Sequence, residues 1–137
     1  MAGPDYDSEI KAFQATMKTI GQVLDLDAMR VEIADLGEQV SAPDLWDDQG
    51  NATRVTGRLS LLQGEVDRFA SLIGRIDDLE VMVELGREEG DAETMADAER
   101  EVRKIHKAVE SLEIRTLLAG EYDAREALVT IRSGAGG

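Results

Sequence analysis

Histidine, cysteine and carboxylate side chains are the groups that most often carry catalysis or bind metals. The 137 residues of this chain contain one histidine, no cysteine and 29 acidic residues. His106 lies between Lys104 and Lys107 on the flank of a helical apolar stripe, with no serine or acid at a triad-like position. One histidine without cysteine does not form a typical zinc site. We therefore interpret His106 as a structural residue.

The remaining polar groups also point to no reaction. The carboxylates are too many and too evenly spread to single out a general acid and base pair. The sequence has no Gly-x-x-x-x-Gly-Lys phosphate loop, and no helix follows the glycine-rich residues 134–137, as a nucleotide cradle would require. We therefore assign no catalytic, cofactor-binding or metal-binding residue, and expect neither a cofactor nor enzymatic activity in this chain.

Charge bounds the kinds of partner. Lys and Arg total 15 and Asp and Glu total 29, which gives a formal net charge of -14. Such a charge repels phosphate backbones, so we expect the bulk surface to suit a basic partner better than a nucleic acid. The simpler explanation of the many Asp and Glu residues is that they form the solvated surface of the helices. No apolar run approaches the ~20 residues of a membrane span, and the acidic residues 1–7 are unlike a targeting segment. We expect a cytoplasmic location and no membrane partner.

Apolar residues recur at spacings of three and four, which is typical of helices packed along a seam. The pattern predicts an all-α fold, an elongated bundle with helices at about residues 7–24, 26–40, 51–85 and 91–118. The seam residues are Ile10, Phe13, Met17, Ile20 and Leu24 in the first helix, Met29, Ile33, Leu36 and Val40 in the second, Leu59, Leu62, Val66, Phe69, Ile73, Ile76 and Val83 in the third, and Met95, Ala98, Val102, Ile105, Val109, Leu112 and Thr116 in the fourth.

The third and fourth helices are joined by a short acidic turn, which predicts a long antiparallel hairpin. Asp91 is a good N-cap for the fourth helix, and Gly120 has the position of its C-cap. The third helix would be roughly 50 Å long. The first two helices would pack against one end of the hairpin, with Pro43 ending the second.

The polar turn after the second helix contains one large apolar side chain, Trp46. An indole ring is rarely left in water. We expect Trp46 to plug the end of the bundle. The alternative is that it anchors a partner protein.

Beyond Gly120 the character of the sequence changes. Residues 128–132, Leu-Val-Thr-Ile-Arg, are rich in β-forming side chains and precede a glycine-rich run. A single strand has no partner in the chain. We therefore predict one C-terminal β-strand that opens a truncated next domain, with a helical N-terminal domain at residues 1–120 and a link and first strand at 121–137.

Three stretches carry a resemblance to a known family. They are Leu-Asp-Leu-Asp at 24–27, Pro-Asp-Leu-Trp-Asp at 43–47, and the passage from Leu-Leu-Ala-Gly-Glu-Tyr-Asp at 117–123 into Ser-Gly-Ala-Gly-Gly at 133–137. Over its whole length the chain resembles the N-terminal part of the bacterial class I peptide chain release factors, in particular the branch that takes UGA and UAA stop codons. The last stretch is specific, whereas the hairpin alone would fit many coiled-coil proteins.

The resemblance implies translation termination, with the ribosome as partner. In this family the second domain reads the stop codon, and a Gly-Gly-Gln loop on a later domain promotes hydrolysis of peptidyl-tRNA. The helical N-terminal domain lies toward the stalk base of the large subunit and helps to position the factor. The chain would therefore dock there, and contacts with the codon and peptidyl-tRNA would come only through domains that it lacks.

No catalytic or decoding residue of the family carries over to this sequence. Residues 133–137 are spelled like the approach to the Gly-Gly-Gln loop, but no glutamine follows them, and the Ser-Pro-Phe codon-reading triplet is absent. A coiled-coil adaptor or scaffold protein is the alternative, since the hairpin fits it equally well. A small hydrolase or metal enzyme is a third class, which fits least because the sequence lacks the necessary ligands and nucleophiles.

Overall fold

Four α-helices make up the described part of the protein. The computed structural model describes the backbone of residues 5–136 and the side chains of residues 5–118. The elements are α1 (Tyr6–Leu24), α2 (Leu26–Ser41), one turn of 3-10 helix (Leu45–Asp47), α3 (Gln49–Glu89) and α4 (Ala92–Gly136).

A single residue separates α1 from α2. Asp25 has φ 55°, in the left-handed region that residues with a side chain rarely adopt. Its carboxylate accepts a hydrogen bond from the backbone N–H of Ala28 and so caps α2. The end of α2 lies at Ser41, two residues before Pro43, because a proline disfavours helical backbone in the residue that precedes it.

The pair α1–α2 runs antiparallel to α3 along most of its length. Arg87, near the end of α3, forms an ion pair with Asp7 at 3.1 Å. Arg58, near the start of α3, forms one with Glu32 at 2.9 Å. The sequence predicts that the first two helices pack against one end of the hairpin, and this prediction is wrong. They form a broken helix that lies beside α3.

Two hydrophobic clusters hold the helices together, and α3 contributes to both. The smaller cluster joins α2 and the 3-10 turn to the N-terminal half of α3, and contains Leu36, Leu45, Ala52, Val55 and Leu62. The larger cluster joins α1 and α4 to the C-terminal half of α3, and contains Tyr6, Ile10, Phe13, Met17, Ile20, Leu72, Ile76, Leu79, Val83, Ala98, Val102, Ile105, Val109 and Leu112.

The turn between α2 and α3 is closed by Leu45. Trp46 is 63% exposed, whereas Leu45 is 6% exposed and packs in the smaller cluster. The expectation that Trp46 plugs the bundle is therefore wrong. Successive side chains of a 3-10 helix point roughly 120° apart, so only one of these two neighbours can face the core.

The predicted C-terminal β-strand is also wrong. Helix α4 continues past Gly120 and through residues 128–132 to Gly136, so Gly120 is not a C-cap. A lone strand leaves its N–H and C=O groups without a ladder, whereas a helix pairs them within the segment. The β-propensity of Leu-Val-Thr-Ile-Arg is a context-dependent preference that does not outweigh this pairing.

Candidate docking surfaces on the helical hairpin

Helices α3 and α4 form an antiparallel hairpin with a two-residue turn. Gly90 ends α3 with φ 61°, which glycine adopts without strain. The Asp91 carboxylate caps α4 by accepting hydrogen bonds from the N–H groups of Glu93 and Thr94, at 3.0 and 3.3 Å, and from the Thr94 hydroxyl at 2.8 Å. These bonds, above all the one from the Thr94 hydroxyl, lower the pKa of Asp91.

The two helices approach closely at Gly86, one turn before the end of α3. A Cβ atom at this position would lie 2.5 Å from Met95 Sδ and 3.3 Å from Thr94 Cγ2. Side chains that are not bonded to each other do not come so close. The absence of a side chain at Gly86 therefore lets the first turn of α4 rest directly against α3.

The first turn of α1 is fastened to this end of the hairpin. The Tyr6 hydroxyl donates a hydrogen bond to the carbonyl oxygen of Met95 at 3.2 Å. Arg87 forms an ion pair with Asp7 at 3.1 Å and lies 6.0 Å from the centre of the Tyr6 ring. Burial, with a smaller effect of the Glu99 charge, raises the pKa of Tyr6, so its hydroxyl stays protonated and can donate.

Carboxylates cover the outer surface at this end of the hairpin. Arg87 is the only cation in residues 77–93, and it is already paired with Asp7. We call the exposed carboxylates here the acidic tip, which consists of Asp77, Asp78, Glu80, Glu84, Glu88, Glu89 and Glu93. A surface of this kind attracts a basic partner over a distance of roughly one Debye length.

A basic stripe lies further along α4. Its cations recur every three or four residues, so they share one helix face, and they alone line a shallow depression on the surface: Arg100, Arg103, Lys104 and Lys107. Sequence reasoning treats Lys104 and Lys107 only as neighbours of His106. The signal that would have found the stripe is the helical spacing of all four cations.

Ion pairs across the hairpin connect α3 to α4, one at the level of the stripe and one nearer the end of the described side chains. Arg75 on α3 lies 3.1 Å from Glu101 on α4. Arg115 on α4 lies 3.0 Å from Glu65 on α3. Both pairs are partly exposed, so each contributes at most about 1 kcal/mol to stability. The cation lies on α3 in the first pair and on α4 in the second.

His106 does not belong to a polar cluster. Its side chain is 62% exposed, and Nδ1 lies 3.8 Å from Glu110. Its ring packs edge-on against Phe13, with 6.4 Å between the ring centres. Among the described side chains, no three His, Asp or Glu residues come together as ligands for a metal ion.

The glycine-rich end gives no test of the sequence predictions. The side chains of residues 119–136 and the whole of Gly137 lie outside what the structure describes. That residues 134–137 have no catalytic role therefore stays a prediction. Within the described residues, no helix has both the length and the apolar character to cross a bilayer.

Comparison with known proteins gives the family. The model of the PCRF domain matches residues 29–137. Three relatives are each a peptide chain release factor 2. That of Pseudarthrobacter chlorophenolicus is 53% identical over 100% of the chain and 37% of the relative. That of Beutenbergia cavernae is 56% identical over 97% of the chain and 36% of the relative. That of Streptomyces avermitilis is 52% identical over 100% of the chain and 37% of the relative.

The chain thus spans 37% of the length of the Pseudarthrobacter relative. The match with this relative covers all four helices and is not confined to the hairpin. The family model covers the region from α2 to the C-terminal residue. The chain therefore belongs to the peptide chain release factor family and carries its PCRF domain at residues 29–137.

Proposed function

We propose that this chain is the N-terminal helical part of a translation-termination factor, and that it docks and positions the factor on the ribosome. The family match over residues 29–137 supports the termination role. The single structural observation that carries the docking role is the hairpin itself. It is long, closely packed at Gly86 and charged at its exposed end.

The packing of the hairpin makes it resistant to bending. Helix α3 has 41 residues and is about 60 Å long. Helices α1 and α4 cover its C-terminal half through the larger cluster, and α2 covers its N-terminal half through the smaller one. A helix packed along its whole length resists bending, so a contact made at the acidic tip fixes the orientation of whatever is joined to the other end.

The finer points of the proposal come from the family resemblance. The factor would act in the cytoplasm at UGA and UAA stop codons, with this chain toward the stalk base of the large ribosomal subunit. Residues 1–120 would form the helical domain. The codon and peptidyl-tRNA would be contacted by other parts of the factor, so this chain would hydrolyse nothing by itself.

A chimaeric release factor tests the docking role. The chain would replace the matching part of the Pseudarthrobacter chlorophenolicus factor, to which it is 53% identical, and a second version would lack residues 1–120. We expect the complete chimaera to bind ribosomes stalled at UGA and release peptide. The shortened version should bind more weakly and release more slowly at subsaturating concentration.

Two results would contradict the proposal. Equal affinity and equal release rates with and without residues 1–120 would remove the docking role. A complete chimaera that folds and binds but releases no peptide at UGA or UAA would contradict the termination role.

A further inference from the structure

The basic stripe is a locally positive surface on a chain whose net charge is negative. The net charge is -14, yet the depression formed by the basic stripe is lined by Arg100, Arg103, Lys104 and Lys107 and by no carboxylate. The stripe is about 10 Å long, since residues 100 and 107 are two helical turns apart. At physiological salt the Debye length is about 8 Å, so a ligand at the stripe is affected by these four cations and by the neighbouring carboxylates of Asp97 and Glu99.

The cations of the stripe are available to a ligand. Arg100 pairs with Asp97 and Arg103 with Glu99, in both cases within the exposed surface of α4. Ion pairs of this kind contribute about 0.5 kcal/mol or less and exchange easily. In the described part of the chain, Lys104 and Lys107 have no ion-pair partner.

We propose that the basic stripe binds the phosphate backbone of a folded RNA. Its lining contains no apolar side chain, whereas the centre of a protein interface usually buries apolar and aromatic groups. A row of cations without apolar anchors matches a regular row of phosphates, which is recognised by charge. The proposal rests on the docking role above, because it gives that docking an RNA contact in addition to the acidic tip.

The test compares two double variants of the 137-residue chain. Lys104→Gln/Lys107→Gln removes two charges from the stripe. Lys11→Gln/Lys18→Gln removes two charges from exposed positions of α1 and is a matched control, because these are the only other lysines in the chain. Binding would be measured by fluorescence anisotropy with a labelled 20-base-pair RNA hairpin between 20 and 200 mM salt, and circular dichroism would establish that both variants remain helical.

The stripe variant should bind the RNA about tenfold or more weakly than the unaltered chain, and the slope of log affinity against log salt should fall by about two, one for each phosphate contact. The α1 variant should change the affinity less than threefold. Absence of binding by the unaltered chain at 20 mM salt, or equal weakening in both variants, would overturn the proposal.

A second probe separates RNA from an acidic protein. Polyglutamate of matched charge should bind the unaltered chain more weakly than the RNA hairpin does. Tighter, stripe-dependent binding of polyglutamate would overturn the proposal in favour of an acidic protein partner. None of these measurements contains ribosomes, so they can fail while the chimaera still releases peptide, and the two proposals remain distinguishable.

Discussion

Two neighbouring residues in the turn after α2 have opposite environments, although both are large and apolar. Leu45 is 6% exposed and Trp46 is 63% exposed. A sequence shows the size of a side chain but not the direction in which a single 3-10 turn aims it. Size alone therefore predicts that the tryptophan plugs the end of the bundle, whereas the structure buries the leucine.

Truncation of the two residues should give different losses of stability. Leu45→Ala should lower the free energy of unfolding by about 3 kcal/mol, because it removes buried methyl groups and leaves a cavity. Trp46→Ala should change it by less than about 0.5 kcal/mol, as exposed substitutions do. Urea unfolding of the two variants measures both values, and a larger loss for Trp46→Ala would show that the indole is buried after all.

The cap at Asp91 should give the protein a pH-dependent contribution to stability. Its pKa is lowered in the folded state by the hydrogen bonds from Thr94 and Glu93. The carboxylate therefore contributes stability that is fully present above the pKa of the unfolded chain and is lost as the pH falls through the lower folded-state pKa.

Substitution of the cap tests this linkage. Asp91→Ala should lower the melting temperature at pH 7, and the difference from the unaltered chain should shrink toward pH 2. The control is Asp78→Ala, which removes the same charge from an exposed site within α3. A melting-temperature difference for Asp91→Ala that stays constant from pH 7 to pH 2 would mean that the cap does not depend on the ionised carboxylate.

At the scale of elements, the sequence predicts best where a helix has neighbours on one side only. The predicted seam of α4 is confirmed from Ala98 to Thr116, with Met95 half-buried. The seam of α3 is predicted less well, because Leu72 and Leu79 are core residues outside it. Helix α3 meets α2 along one half and α1 and α4 along the other, so one spacing does not describe it.

Glycines within α3 should respond differently according to what faces them. A Cβ atom at Gly74 would have nothing within 4 Å, whereas one at Gly86 would crowd Met95. Gly74→Ala should stabilise the protein by about 1 kcal/mol through helix propensity. Gly86→Val should destabilise it by about 1–3 kcal/mol, because the side chain would push α4 away from α3.

Thermal unfolding of both glycine variants, followed by circular dichroism, measures these effects. A stabilising Gly86→Val would contradict the close approach of the helices at that residue. The sequence predicts the end of the third helix at residue 85, which would leave Gly86 in the turn. In the structure α3 continues to Glu89, and Gly86 lies within the helix against Met95.

At the scale of the whole molecule, the net charge of -14 concealed the distribution of charge. The net charge predicts a basic partner and disfavours a nucleic acid. This prediction suits the acidic tip but not the basic stripe. Only the helical positions of Arg100, Arg103, Lys104 and Lys107 separate the two surfaces. A net charge averages over faces, so it could not predict a local surface of the opposite sign.

Salt should stabilise the folded chain. Self-repulsion of the net negative charge destabilises the compact state, while the exposed ion pairs contribute at most about 1 kcal/mol each. Raising the salt concentration from 20 to 500 mM should therefore raise the melting temperature by a few degrees. A lower melting temperature at high salt would show that pairs such as Arg75–Glu101 and Arg115–Glu65 outweigh the repulsion.

Competition on the ribosome tests the docking role most directly. The 137-residue chain would be added in increasing amounts to ribosomes stalled at UGA, together with a fixed, subsaturating amount of the Pseudarthrobacter chlorophenolicus release factor 2. If the chain docks without catalysing, it should displace the factor and slow peptide release, and should release no peptide when added alone. Undiminished release at a large excess of folded chain, or release by the chain alone, would contradict the account.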